Sequence, residues 1–165
     1  MSVQKEIVEV TGVRKINSFV DLLNLTDFVF RIVTWGETPK KDWMQREWSY
    51  QRNHLLDIIK QFQEYKIKGW CGANAQLMLL LLTAYKVKCR GYNFGLSPLQ
   101  FSHVGVTAVI EGMEFFLDPY FNRYYAFRDE FPLQITDLTR LIQERKFNCI
   151  TSVYGPSKKT VFVED

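Results

Sequence analysis

The chain has 165 residues, of which 47% are hydrophobic and 24% are charged, values that fit one globular domain and exclude a disordered chain. Its net charge of +3, from 21 basic and 18 acidic residues, is too small to indicate a nucleic-acid partner. Three cysteines without CxxC spacing indicate neither a disulfide framework nor a structural zinc site. We therefore expect a single domain over residues 1–165, with reduced thiols and no cofactor.

The N-terminal sequence and the apolar runs bear on where the protein is found. The segment MSVQKEIVEV lacks the basic-then-apolar layout of a secretory signal. The longest uninterrupted apolar run is Leu77–Leu82, far short of the roughly 20 residues that span a bilayer. The sequence thus predicts a cytoplasmic protein without a membrane partner.

Helical patterns fill the first part of the chain. Ser18 is a suitable N-cap for a helix through FVDLLNLTDFVFRIV, residues 19–33. The Gly and Pro in Trp35–Lys41 predict a loop. An apolar stripe between Asp42 and about Tyr65 predicts a second helix.

A third helix is predicted to begin near Cys71 and to continue to about Tyr85. Because its LMLLLL stretch is apolar all round, we expect a central helix with Leu77–Leu82 in the core. A structural cysteine usually lies within an apolar run, where it packs as a small hydrophobe. Cys71 instead stands at the entrance of the helix, between Trp70 and Gly72, which makes its thiol a candidate functional group.

After the third helix the apolar period changes from about 3.6 to 2, which predicts strands. They lie at Val87–Gly91, Phe101–Ile110 and Met113–Asp118. A short helix from about Asp137 to Arg145 follows, and TVFV at 160–163 could form an edge strand. Helices followed by strands predict an α+β fold with an antiparallel sheet.

The segment Glu111–Gly112 predicts a hairpin turn between the second and third strands. If these residues form the loop, Gly105 faces Asp118, and His103 lies diagonal to Asp118 on the same sheet face. Such diagonal neighbours have Cα atoms about 7–8 Å apart, within reach of an imidazole and a carboxylate. Because Gly105 has no side chain, we expect it to leave room for that contact.

Cys71, His103 and Asp118 together predict nucleophilic catalysis. A helix N-terminus and a neighbouring imidazolium both favour the thiolate, the reactive form of cysteine. A carboxylate beside the imidazole fixes its tautomer and stabilises its charged form. Thiol, imidazole and orienting carboxylate form the arrangement that catalytic triads use. The Cys71 N–H is expected to be one oxyanion donor, with a second from a Trp, Gln or Tyr side chain between residues 35 and 70.

Other residues and other interpretations stay open. Cys89 is predicted to lie in the core, Cys149 has no recognisable partner, and His54 fits a packing or surface position of the second helix. The three candidate residues could instead bind zinc, although no residue is predicted to orient them as ligands. The protein could also be a non-catalytic module that binds peptide or carbohydrate on an aromatic platform. The platform residues would be Trp35, Trp43, Trp48 and Tyr50, which could equally pack the N-terminal helices onto the core.

Residues 67–121 resemble the transglutaminase-like superfamily, whose members have a papain-like fold. Members show a Gly-x-Cys-x-x-x-Ala opening, a Leu-rich helix, a small strand ending in Arg, a His-containing strand and a strand ending in Asp-Pro. The opening here is Gly69, Cys71 and Ala75. The later elements are LMLLLLTAYKVKCR, SHVGVTAVI and EFFLDPYFN.

The resemblance implies a Cys-bearing helix packed on an antiparallel sheet beside N-terminal helices. It implies that Cys71 is the nucleophile, His103 the general base and acid, and Asp118 the residue that orients His103. It also implies an enzyme that forms a thioester and passes the acyl group to water or to an amine. The substrate would be a peptide, a protein or a small amide or amine.

Two positions depart from the family pattern. Gly105 stands where the family often has an aromatic residue, which bears on the substrate cleft, and Lys86 stands where a glycine usually ends the helix. The segment FLDPYFNRYYAFRD also resembles small stand-alone bacterial members, and this resemblance implies a link to surface-polysaccharide pathways.

Overall fold

The computed structural model describes residues 3–36, 55–64, 68–94 and 103–157. Within these ranges the helices are α1 (Val3–Thr11), α2 (Phe19–Ile32), α3 (Leu55–Gln63), α4 (Cys71–Ala84) and α5 (Ile135–Gln143). The strands are β1 (Cys89–Phe94), β2 (His103–Ile110), β3 (Met113–Asp118), β4 (Arg123–Phe127), β5 (Phe131–Pro132) and β6 (Ile150–Tyr154). The paired strands are antiparallel, so the predicted α+β class is confirmed.

The described strands form one sheet, in the order β1-β2-β3-β4-β5, with β6 also paired to β4. The β2–β3 hairpin has the predicted register, since Ile110 pairs with Met113 and Val106 with Leu117. Its two loop residues, Glu111 and Gly112, have positive φ angles of 51° and 80°. A two-residue loop of this kind matches the twist of the strands it connects, which explains why the register is fixed locally.

Helix α2 begins where the sequence predicts. The Ser18 hydroxyl accepts the Asp21 N–H at 3.2 Å, and the Asp21 carboxylate accepts the Ser18 N–H at 2.9 Å. These reciprocal bonds form a capping box, which satisfies N–H groups that the helix itself cannot pair. Helix α1, by contrast, is not predicted from the sequence pattern, and its buried anchor is Ile7.

Helix α4 is the central helix and packs on β2, β1 and α2. The prediction that all of Leu77–Leu82 lies in the core is wrong for Leu79 and Leu80, which are only partly buried. Successive helical residues are separated by about 100° around the axis, so six in a row surround the helix and some of them lie on a side that α2, β1 and β2 cover only in part. Leu81 is fully buried and lies in the main core.

The two faces of the sheet contribute to separate apolar clusters. On β3, Phe115 and Leu117 belong to the main core with α4, whereas Phe116 belongs to a second cluster with α5. Alternate strand residues point to opposite faces, so α4 and α5 cover opposite sides of the sheet.

Several element boundaries differ from the predicted ones. Strand β1 begins at Cys89 rather than Val87, because the Val87 N–H bonds to the Leu82 carbonyl at 2.9 Å and completes the end of α4. Helix α5 begins and ends two residues before the predicted bounds. Strands β4, β5 and β6 are not predicted from the sequence.

Some predictions fall outside the described residues. They are the loop beyond Gly36, the second helix before Leu55, residues 101–102 of the second strand and the TVFV strand. Among the residues that are described, no helix combines the length and apolarity needed to cross a membrane.

Candidate functional site

Cys71 is the first residue of α4, as predicted, and its side chain is half-buried. The N-cap residue is Trp70, whose carbonyl accepts the N–H groups of Ala73 at 3.0 Å and Asn74 at 3.2 Å. The thiol therefore lies at the positive end of the helix macrodipole, which favours a negative charge there.

The chain approaches Cys71 through a close contact with the end of α2. Trp35 and Gly69 form a parallel bridge, and the Gly69 N–H donates to the Thr34 carbonyl at 3.0 Å. A Cβ on Gly69 would collide with the Cβ of Ala73. Glycine is therefore the residue that permits the chain to run this close to the first turn of α4.

His103 and Asp118 are hydrogen-bonded, with His103 Nε2 at 2.9 Å from Asp118 Oδ2. The predicted contact between the first residue of β2 and the last of β3 is thus confirmed. A carboxylate only accepts, so Nε2 donates and Nδ1 is left as the basic nitrogen of the ring. The Asp118 side chain is 1% exposed and that of His103 is 28% exposed. The partly exposed imidazole therefore lies between the buried carboxylate and the protein surface.

The space beside Gly105 is used differently from what the sequence suggests. A Cβ at Gly105 would overlap the ring of Phe116. The room that Gly105 provides is therefore filled by Phe116, a residue of the second apolar cluster, and is not an open gap beside the His103–Asp118 pair.

Asp118 accepts two further hydrogen bonds that the sequence analysis missed. Arg123 Nε donates to Asp118 Oδ2 at 3.0 Å, and the Phe121 N–H donates to Oδ1 at 3.2 Å. Burial acts to lower the pKa of Arg123, but the charges of Asp118 and Tyr125 and the hydrogen bonds to Tyr154 and Asp118 together outweigh it, so the pKa is raised. The signal that could have identified Arg123 is its place just after the Asp-Pro turn, where a returning strand would bring it opposite Asp118.

Tyr120 lies beside Trp35 and His103. Its ring stacks on Trp35 at 4.9 Å and is 5.9 Å from the His103 ring, measured between centroids. Burial raises the pKa of Tyr120, and the charges of Cys71 and Asp118 raise it further. The Tyr120 hydroxyl is therefore close enough to sense both groups and stays protonated at neutral pH.

Two exposed aromatic side chains flank these residues. Trp70, directly before Cys71, is 50% exposed, and Phe121, whose ring is 5.4 Å from that of His103, is 39% exposed. Of the aromatic residues proposed as a binding platform, Trp35 stacks on Tyr120. The other three, Trp43, Trp48 and Tyr50, lie outside the described residues.

The other two cysteines are poorer nucleophile candidates. Cys89 is half-buried rather than in the core, and burial raises its pKa, which opposes thiolate formation. Cys149 is 7% exposed and belongs to the second apolar cluster. His54 lies outside the described residues.

The described residues, which include Cys71, His103 and Asp118, contain no group of three His, Cys, Asp or Glu side chains arranged to hold a metal ion. The alternative interpretation of the three residues as a zinc site therefore lacks geometric support in this part of the chain.

Comparisons with known proteins add one similarity. The chain matches no protein-family model and no curated protein sequence. Among solved structures it is similar to a candidate cysteine protease from Cytophaga hutchinsonii, with 21% sequence identity and a TM-score of 0.49. The similarity covers 72% of this chain and 36% of the Cytophaga chain. The case for function therefore rests on the geometry of the site.

Proposed function

We propose that the protein is a cysteine-dependent enzyme that acts on an amide or related acyl group through Cys71, His103 and Asp118. The observation that carries this proposal is the 2.9 Å hydrogen bond between His103 and the buried Asp118. Tyr120 supports it, because its ring is 5.9 Å from that of His103 and its pKa is raised by burial and by the charges of Cys71 and Asp118. A thiol at a helix N-terminus, together with an imidazole that is bonded to a buried carboxylate, is suited to nucleophilic catalysis.

In the first half-reaction His103 Nδ1 takes the thiol proton and Cys71 Sγ bonds to the substrate carbonyl carbon. The carbonyl π electrons move to oxygen, and the N–H groups at the start of α4 stabilise that oxyanion. When the carbonyl re-forms, the C–N bond breaks and His103 gives its proton to the leaving amine. The product is a thioester on Cys71.

In the second half-reaction water or an amine attacks the thioester. His103 takes a proton from this acceptor, the C–S bond breaks, and the released thiolate recovers the proton from His103. Water as acceptor makes the enzyme a peptidase or amidase, and an amine makes it an acyltransferase. Asp118 keeps Nε2 protonated, so that Nδ1 remains available as the base in both halves.

The resemblance noted in the sequence extends this proposal. The fold would be the papain-like fold of the transglutaminase-like superfamily, with residues 1–165 as one domain. The substrate would be a peptide, a protein or a small amide or amine. The resemblance to small bacterial members suggests a substrate in a surface-polysaccharide pathway.

Covalent trapping tests the proposal without knowledge of the substrate. Brief treatment with a low concentration of iodoacetamide at pH 7, followed by peptide mass spectrometry, is expected to label Cys71 before Cys89 or Cys149. Cys71→Ala should abolish the rapid adduct, and the matched control Cys89→Ala should retain it. Rapid labelling that survives in Cys71→Ala would contradict the assignment of Cys71.

A second candidate is a non-catalytic module that binds peptide or carbohydrate. The observation that favours it is the exposure of Trp70, which precedes Cys71, and of Phe121, whose ring is near that of His103. Turnover distinguishes the two functions. Release of amine from a pool of peptide amides, or incorporation of a fluorescent primary amine, supports the enzyme. Ligand binding that is equal in wild type and Cys71→Ala, without turnover, supports the module.

A further inference from the structure

The Asp118 carboxylate is shared between two donors at one oxygen. Asp118 Oδ2 accepts from His103 Nε2 at 2.9 Å and from Arg123 Nε at 3.0 Å. Arg123 is the register partner of Asp118 across β3 and β4, so the backbone brings this guanidinium to the carboxylate. The Arg123 guanidinium, which balances the charge of Asp118, thus donates to the same oxygen atom that accepts the His103 hydrogen bond.

The guanidinium is held in place by its surroundings. It lies 4.5 Å from the centroid of the Phe121 ring and 5.4 Å from that of Tyr125, and the Arg123 side chain is 21% exposed. Cation–π contacts of this kind restrain an arginine that would otherwise extend into water. On the partner strand β6, Tyr154 pairs with Arg123. The ionisable groups around the pair are His103, Tyr120, Tyr125 and Tyr154, and Tyr120 in turn interacts electrostatically with the Cys71 thiol.

We propose that Arg123 is a positioning residue that balances the charge of Asp118 and keeps its carboxylate directed at His103, and that it sets the pH range in which Cys71 is reactive. This inference rests on the proposed function of the same site. Arg123 does not contact the reacting atoms, and it acts through Asp118.

The physical reason is charge balance. Asp118 and Arg123 together are formally neutral, so the Cys71 thiolate and the His103 imidazolium form beside a neutral pair. Without the guanidinium, the buried carboxylate leaves one uncompensated negative charge beside both groups. A negative charge favours the protonated forms of a thiol and of an imidazole. Both limbs of the pH profile of Cys71 reactivity should then move to higher pH.

The test is the rate of Cys71 alkylation by iodoacetamide as a function of pH, in Arg123→Gln and in Arg123→Lys. Arg123→Gln is expected to move the profile upward by about one pH unit. Arg123→Lys keeps the charge and should return the profile close to that of wild type. The matched control is Arg90→Gln, which removes an exposed arginine paired with Glu114 and should leave the profile unchanged.

Charge balance also predicts the behaviour of a double variant. Asp118→Asn with Arg123→Gln removes both charges of a formally neutral pair, so its profile should stay close to that of wild type. Because the double variant buries no unpaired charge, it decides the question even where Arg123→Gln alone does not fold.

The outcomes separate this inference from the proposed function. A wild-type profile like that of an ordinary thiol contradicts both. A shifted wild-type profile that Arg123→Gln leaves unchanged, or a double-variant profile that lies about one pH unit or more from that of wild type, overturns the role of Arg123 alone.

Discussion

The two sides of the candidate site are built differently. Cys71 lies half-buried at a helix end, where the local sequence around Gly69 sets its position. His103 and Asp118 are brought together by strand register across the β2–β3 hairpin, and Asp118 is fully buried among its donors. We therefore expect that replacing the nucleophile has little effect on stability, whereas replacing the buried carboxylate destabilises the fold.

Hydrogen bonds to Asp27 link the turn after Asp118 to α2, and we call this set of bonds the Asp27 tether. Asn122, in the turn after Asp118, is 2% exposed and donates to Asp27 Oδ1 of α2 at 2.7 Å. The Ser157 hydroxyl donates to Asp27 Oδ2 at 2.9 Å, and the Ser157 N–H to Oδ1 at 3.1 Å. The turn that carries Tyr120 is therefore fastened to α2 through one buried carboxylate.

The largest effect is expected from disrupting the core packing of α4, the helix that begins at Cys71. Leu81→Asp places an unpaired charge in the core and should lower the free energy of unfolding by more than about 4 kcal/mol. The matched variant Leu80→Asp, at a partly buried position of the same helix, should cost about 1–2 kcal/mol. Urea unfolding followed by circular dichroism measures both, and equal losses would contradict the assigned helix face.

The next variant removes the buried carboxylate that is bonded to His103 and Arg123. Asp118→Ala leaves the Arg123 guanidinium without its counter-ion, so we expect the free energy of unfolding to fall by about 3–5 kcal/mol. The matched variant Cys71→Ala should change it by less than about 1 kcal/mol, because the thiol is small and its side chain is only half-buried. Thermal melts compare the two, and the comparison of the two sides is wrong if Cys71→Ala destabilises as much.

The Asp27 tether predicts that the stability of the protein depends on pH. Burial acts to raise the pKa of Asp27, but hydrogen bonds from Ser157 and Asn122 and the charge of Arg31 outweigh it, so the pKa is lowered from 3.8. A carboxyl with a lowered folded-state pKa stabilises the fold above its unfolded value, and this contribution is lost as the pH falls through the folded one.

Asp27→Asn removes that contribution. Its destabilisation should be about 2–3 kcal/mol at pH 7 and should shrink as the pH falls below the unfolded pKa of 3.8. Melts of wild type and variant at pH 7 and pH 3 measure the difference. A destabilisation that stays the same at both values would remove Asp27 as the source of the dependence.

The smallest expected effect is at the far end of α4. Lys86 has a φ of 59°, and its N–H bonds to the Thr83 carbonyl at 2.9 Å, as in a helix end that favours glycine. Lys86→Gly should therefore raise the free energy of unfolding by about 1 kcal/mol. It should leave Cys71 alkylation unchanged, because the start of the helix sets the thiol. An altered alkylation rate would show that the whole helix, rather than its first turn, positions Cys71.

Local signals explain what the sequence predicted well. Ser18 and Asp21 define the start of α2, and the Glu111–Gly112 turn fixes the register that brings His103 to Asp118. The helix beginning at Cys71 was predicted from the apolar run that follows this residue. Each of these features depends on residues near one another in the chain.

Long-range placement explains what the sequence missed. Arg123 is brought beside Asp118 by the pairing of β4 with β3. This pairing was not predicted, because the RYYAF segment of β4 lacks the clear alternation that predicts a strand. Strand β6, which pairs along β4, comes from a different part of the chain, and residues near its end reach Asp27 of α2. Such contacts are set by the packing of the whole sheet.

The most direct test of the proposed site is the rate of Cys71 alkylation against pH in wild type and in His103→Ala. The proposed pair of Cys71 and His103 predicts half-maximal reactivity well below about pH 8.5, the value for an ordinary thiol. His103→Ala should move the profile upward by removing the imidazolium that favours the thiolate. A wild-type profile centred near pH 8.5 and unchanged in His103→Ala would contradict Cys71 as a catalytic nucleophile.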